Sequence, residues 1–255
     1  MKFNTTKRYI EHIPVFEITP DTLSTEPLPL VVYYHGWKTS KELAMTPARK
    51  IAQHNIRVVI PDAMNHGERR IKQHSSIPSI TFWSSIQHNL SEFDLIKNFY
   101  SDRGLIKDNN IGVGGFSMGG MTTAGLLTHH PDIKVGAILM GTPNYKGFVD
   151  RVIYHAGKMD RHIPTGFRDL LSWTDSFDLN QQPEALAGRP VYFWHGTEDA
   201  KIPYDSSHDF YLAHVHTAYG QGMTYETSVG EPHLLTIDIM EKTGVFFDHH
   251  FFKTY

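Results

Sequence analysis

Along this chain, short runs of β-branched and aromatic residues alternate with longer segments whose apolar positions recur every three or four residues. Residues 8–20 (RYIEHIPVFEITP) read as one or two leading strands. Residues 30–34 (LVVYY) form a continuous apolar run ending at His35-Gly36-Trp37, and a helical stretch over 40–54 follows. The run 56–60 closes at Pro61-Asp62. Over 81–100, Trp83, Ile86, Leu90 and Phe93 share one face, which is the spacing of an amphipathic helix. Further buried strands are expected at 111–114, 135–140 and 190–194, then a helix over 204–218, a strand over 223–229 and a last helix over 237–252. Apolar runs without alternation suit strands covered on both faces, so the expected architecture is an α/β fold with a mostly parallel sheet and helices on both sides. The rhythm breaks over 144–188, where aromatics and charges mix and one helix is expected near 167–173. That stretch reads as an insertion over the top edge of the sheet. Residues 1–255 are therefore expected to form one domain carrying a small helical lid at 144–188.

Composition narrows the setting. A chain of 255 residues can bury a substantial core, and 40% hydrophobic with 20% charged residues is the balance of an ordinary soluble globular protein. A net charge of −3, with histidines neutral, offers no long basic face, so neither nucleic acid nor a membrane is expected as a partner. The apolar runs are too short for a bilayer span, and the N-terminus lacks the apolar core of a secretory signal. The absence of cysteine removes disulfides, thiolate metal sites and a cysteine nucleophile, and fits a cytoplasmic location. Seventeen histidines are many, yet neither His129-His130 nor His249-His250 lies in a His-Glu-x-x-His pattern, and adjacent helical residues point to different faces. No metal and no cofactor is expected.

The candidate chemistry begins at Gly115-Phe116-Ser117-Met118-Gly119-Gly120, between an apolar strand and a small-residue helix. A serine held in strained backbone geometry at such a corner brings the positions two before and two after it close together, where only small residues fit. A serine hydroxyl needs a base, and the base needs an orienting carboxylate. In an open parallel sheet these groups belong on loops at the carboxyl ends of strands. The strand ending at Trp194 runs into His195-Gly196-Thr197-Glu198-Asp199, where Asp199 is the favoured carboxylate and Glu198 its competitor. The loop Gly230-Glu231-Pro232-His233 after the last strand supplies the histidine, while His208, His214 and His216 fall within an expected helix.

These three motifs, in this order, resemble the α/β-hydrolase superfamily, and more narrowly its small single-domain bacterial esterases grouped with prolyl-oligopeptidase-like and dienelactone-hydrolase-like proteins. The resemblance implies an eight-stranded sheet, with Ser117 as nucleophile, His233 as base and Asp199 as its orienter. It also gives His35-Gly36-Trp37 a meaning, because a His-Gly pair here positions a backbone N–H. The oxyanion hole would be the amides of Trp37 and Met118. The loop from Asp62 to Arg69 would form part of the pocket rim. Two departures matter: dienelactone hydrolases proper carry cysteine at the elbow, and there is no room here for the β-propeller of prolyl oligopeptidases. The expected substrate is a small, short-acyl carboxylic ester, with Tyr145, Phe148, Tyr154, Phe167 and Trp173 either lining its pocket or packing the insertion onto the sheet. A thioesterase, amidase or acyltransferase could use the same residues, and a non-catalytic ligand-binding protein could use the same fold.

Overall fold

The computed structural model describes residues 1–252; residues 253–255, the end of the expected domain, lie outside the described residues. Eight strands form one sheet: β1 (Phe3–Ile10), β2 (Ile13–Pro20), β3 (Leu28–Tyr34), β4 (Arg57–Pro61), β5 (Ile106–Phe116), β6 (Val135–Leu139), β7 (Val191–Gly196) and β8 (Met223–Ser228). Their order is β1-β2-β4-β3-β5-β6-β7-β8. The β1–β2 hairpin is antiparallel and β2 meets β4 antiparallel, while the pairings from β4 to β8 are parallel. The helices are α1 (Met45–Ala52), α2 (Ile80–Ser101), α3 (Met118–His129), α4 (Tyr145–Lys158), α5 (Phe167–Leu170), α6 (Trp173–Ser176), α7 (Asp205–His214) and α8 (Ile237–Phe252).

Side-chain alternation along buried strands divides the core in two. Leu30, Val32 and Tyr34 of β3 join Val113, Phe193 and the inner faces of α2 and α3 in one cluster. Val31 and Tyr33 point the other way, onto Ala48 and Ile51 of α1 and Phe247 of α8. The mostly parallel α/β architecture with helices on both faces is thus the observed one. Chain order reverses direction at β3, whose neighbours are β4 and β5. At such a switch point the loops leaving the two carboxyl ends diverge and leave a crevice for ligand.

Several boundaries differ from the sequence reading, each for a physical reason. The helix expected from residue 40 starts only at Met45, because Lys41 is drawn onto Asp62, its amide 3.0 Å and its ammonium 2.6 Å from that carboxylate. The leading strands begin at Phe3 rather than residue 8, paired along their length in the hairpin. In the 144–188 stretch the main element is α4, unforeseen in the sequence, which Asn144 caps by accepting the Gly147 amide at 2.7 Å. The helix expected near 167–173 is two single turns, α5 and α6. Among the described residues no helix is long and apolar enough to cross a membrane.

Candidate active site

Strand β5 delivers Ser117 to the switch point in a conformation that a side chain rarely adopts, with φ 58° and ψ −116°. Such backbone strain costs on the order of 1–3 kcal/mol and must be held by its surroundings. Here the Ser117 amide donates to the Leu139 carbonyl at the end of β6 (2.8 Å), and the Ser117 carbonyl accepts the Met121 amide to start α3 (3.0 Å). The close approach across the elbow is real. A Cβ on Gly119 would sit 2.0 Å from the Tyr34 carbonyl oxygen, and one on Gly115 would sit 2.5 Å from the Gly119 carbonyl carbon.

The structure brings Ser117, His233 and Asp199 together from the ends of β5, β8 and β7. Ser117 Oγ lies 2.8 Å from His233 Nε2, and His233 Nδ1 lies 2.6 Å from Asp199 Oδ2. The Phe116 ring packs against the imidazole, with centroids 4.9 Å apart. Glu198 is exposed, whereas the Asp199 carboxylate is fully buried. Among the late histidines outside this loop, His208 instead stacks on Tyr204.

Asp199 is heavily satisfied. Its Oδ1 accepts the amides of Lys201 (2.8 Å) and Ile202 (3.0 Å). Its Oδ2 is shared by His233 and a second histidine, His195, whose Nε2 lies 3.1 Å away. Burial alone would raise the Asp199 pKa, but the hydrogen bonds from His195, His233 and Ile202 hold it well below the usual carboxylate range. His195 Nε2 also faces the Ile202 carbonyl at 3.0 Å, so this nitrogen carries the proton. Its Nδ1 meets Ser207 Oγ at 2.9 Å, and that hydroxyl lies 2.9 Å from Tyr225 Oη. Sequence reasoning assigned His195 no role. The available signal was a histidine ending an apolar strand four residues before a candidate acid.

The turn after β3 carries the Trp37 amide, across the switch point from the Met118 amide at the N-terminus of α3. Neither amide hydrogen-bonds to another described residue; the first amides of a helix have no partner within it. Two histidines brace this turn. His35 Nε2 accepts the Ala63 amide (3.1 Å) while its Nδ1 donates to the Gly36 carbonyl (2.8 Å). His66 Nε2 accepts the Lys38 amide (3.0 Å) while its Nδ1 donates to Met64 (2.9 Å). Burial pushes the His35 pKa down to about 4 and also lowers that of His66, so both stay neutral acceptors. Behind them, Lys41 joins Asp62 (2.6 Å), Glu68 (2.5 Å) and Glu42 (3.0 Å). Burial works against the Lys41 charge, but those carboxylates outweigh it and raise its pKa.

A hollow of about 220 Å³ opens beside the elbow, lined by Tyr33, Gly36, Phe116, Leu234 and Met240 among others. Of the aromatics in 144–188, Tyr145 and Phe167 are buried as packing. Tyr145 donates to the Met121 carbonyl (2.5 Å) and meets Trp83 edge-on. Trp173 packs on Trp83 and Phe177, Phe148 is half-buried against Phe82, and Tyr154 is exposed. Among the described residues, no group of three or more histidine or acidic side chains is arranged to hold a metal ion.

Several known proteins are similar to this chain. YitV of Bacillus subtilis (strain 168) is 34% identical over 205 residues, covering 79% of this chain and 80% of that protein. The esterase YjfP of Escherichia coli (strain K12) is 26% identical over 250 residues, 95% of this chain and 97% of that one. The crystal structure of TT1662 from Thermus thermophilus superposes with a TM-score of 0.79 at 18% identity, covering 100% of both chains, which is a likeness of fold. The prolyl oligopeptidase family profile matches residues 88–251, from the middle of α2 through the serine, acid and histidine loops into α8. With that match spanning most of the chain, and with the serine elbow at the switch point of an α/β-hydrolase sheet, the chain belongs to the prolyl oligopeptidase family and is an esterase-like hydrolase.

Proposed function

We propose that this chain is a serine carboxylic-ester hydrolase working through an acyl-enzyme. Ser117 Oγ attacks the ester carbonyl carbon as its proton passes to His233 Nε2, while Asp199 orients the ring and offsets its charge. The oxyanion is received by the amides of Trp37 and Met118; one such donor is typically worth about 3 kcal/mol in the transition state. Collapse expels the alcohol, protonated by His233. Water then attacks the acyl carbon, giving its proton to His233, and Ser117 leaves with that proton as the acid is released. The single observation that carries this reading is the unbroken line from Ser117 Oγ to His233 (2.8 Å) and on to Asp199 (2.6 Å).

The small apolar hollow at Gly36 and Phe116 supports a short acyl group. The whole of 1–255 is read as one hydrolase domain in which residues 144–188 cover the site as a lid. A fluorophosphonate probe tests the chemistry: wild type should be labelled and Ser117→Ala should not. Equal labelling of the two would sink the serine-hydrolase reading. Matched ester, thioester and amide substrates rank the bond cleaved, and the ester should turn over fastest.

A further inference from the structure

One cleft beside the site differs in charge from the rest of this acidic chain. It has a volume of about 480 Å³ and runs between α4, the loop before α2 and the loop after β7. Phe148, Val152, Ala156, Met159 and Pro78 give it an apolar floor. Arg151, His155, Arg161 and Lys201 also line it, and no lining residue carries a carboxylate. Among the described residues the side chains of Arg151, Arg161 and Lys201 make no ion pair or hydrogen bond. By contrast the neighbouring Arg168 pairs with Asp150, and Arg69 with Glu92.

Two further features of the cleft favour negative charge. It is also lined by Ser79, the residue before the first turn of the 22-residue helix α2. The amides there and the aligned peptide dipoles make the end of a long helix positive. Ser79 Oγ is buried without any hydrogen-bond partner, which leaves an unpaired hydroxyl at that helix end. The cleft is linked to the site through its lining residues. Ala200 and Lys201 directly follow Asp199, and Phe148 packs 5.7 Å from Phe82, which packs 5.5 Å from Trp37.

We propose that this cleft receives an anionic group, a carboxylate or phosphate, carried on the ester at a distance from the bond that Ser117 cleaves. The inference rests on the ester-hydrolase reading and narrows its substrate class from a plain short-acyl ester to one with an apolar body and a charged end. The guanidinium forks of Arg151 and Arg161 suit the paired oxygens of either anion, with the Lys201 ammonium as an added point charge.

Binding and turnover are best measured separately. Titration calorimetry on Ser117→Ala compares phenyl butyrate with 4-carboxyphenyl butyrate, 4-phosphonophenyl butyrate and the monophenyl ester of glutaric acid. The first two anions lie on the alcohol side and the third on the acyl side. At least one charged ester should bind about tenfold more tightly than the neutral one at low salt. That advantage should shrink at high salt and should largely disappear in Arg151→Gln/Lys201→Gln. Equal affinity for neutral and charged esters, or an advantage that the double variant keeps in full, overturns the inference. Fluorophosphonate labelling and turnover of phenyl butyrate by wild type report on the hydrolase reading alone. Their failure would remove that reading while the affinity comparison still decides whether the cleft holds an anion.

Discussion

At the scale of single residues, the site depends on what two backbone carbonyls and one carboxylate will tolerate. Gly119 has no room for a methyl group, since Tyr34 O would lie 2.0 Å from it. Gly119→Ala should therefore force the elbow apart, with a loss of stability of about 3 kcal/mol or more and no fluorophosphonate labelling; chemical denaturation and the probe read the two effects. His195 acts differently, through Asp199 rather than on substrate. Its Nε2–H takes part of the negative charge that Asp199 Oδ2 presents to His233. In His195→Phe that oxygen is left to His233 alone, so kcat/KM should fall about tenfold and its acidic limb should move to higher pH. A purely structural role would lower activity without moving the limb. The need for glycine at 115 and 119 was legible from spacing, because the constraint is local. The role of His195 was not legible, because the contact that defines it depends on how the loop after β7 folds back on its strand.

At the scale of elements, the turn after β3 is fixed by the loop after β4 and not by its own sequence. Lys41 and Asp62 are both fully buried as side chains, and Asp62 also accepts the amides of Lys41 and Glu68 at 3.0 Å. Removing one partner strands a buried charge. Lys41→Ala should cost about 3–5 kcal/mol in thermal or denaturant unfolding, while Lys41→Met/Asp62→Leu, which removes both charges, should recover part of that loss. The loosened turn would carry the Trp37 amide with it, so kcat should fall in both variants. The strand runs and the long amphipathic helix α2 were readable from periodicity, which reports burial directly. Helix α4 lies in a stretch of mixed pattern, although Asn144 precedes it as a cap and Tyr145, Val149, Val152 and Ala156 recur at helical spacing. Its charged and aromatic outer face, part of which lines the basic cleft, obscured that period.

At the scale of the whole molecule, the buried neutral histidines set a limit on acid stability. The folded His35 value is about 4 against about 6.5 for a free imidazole, so as pH falls between these the unfolded chain takes up a proton that the folded chain refuses. Stability is therefore fully present above about pH 6.5 and lost toward pH 4, by on the order of 3 kcal/mol from His35, with His66 adding in the same direction. Asp199 is depressed instead, so its contribution is lost only at pH below the ordinary carboxylate range. Burial raises Asp178 and opposes the trend there. Denaturant unfolding at about pH 7 and pH 4.5 should show the loss, and His35→Asn, which cannot titrate, should flatten it.

The sequence by itself determined the sheet-and-helix alternation, the elbow at Ser117 and the identities of Asp199 and His233 as candidates in chain order. Each of these is written within a few residues, as a period or as a spacing of glycines. Only the tertiary structure decided that Asp199 and not Glu198 faces His233, that His35, His66 and Lys41 brace the Trp37 turn, and that Arg151, Arg161 and Lys201 line one cleft. Those relations join residues tens of positions apart. They depend on which strand ends the sheet sets side by side, and local pattern carries no record of that.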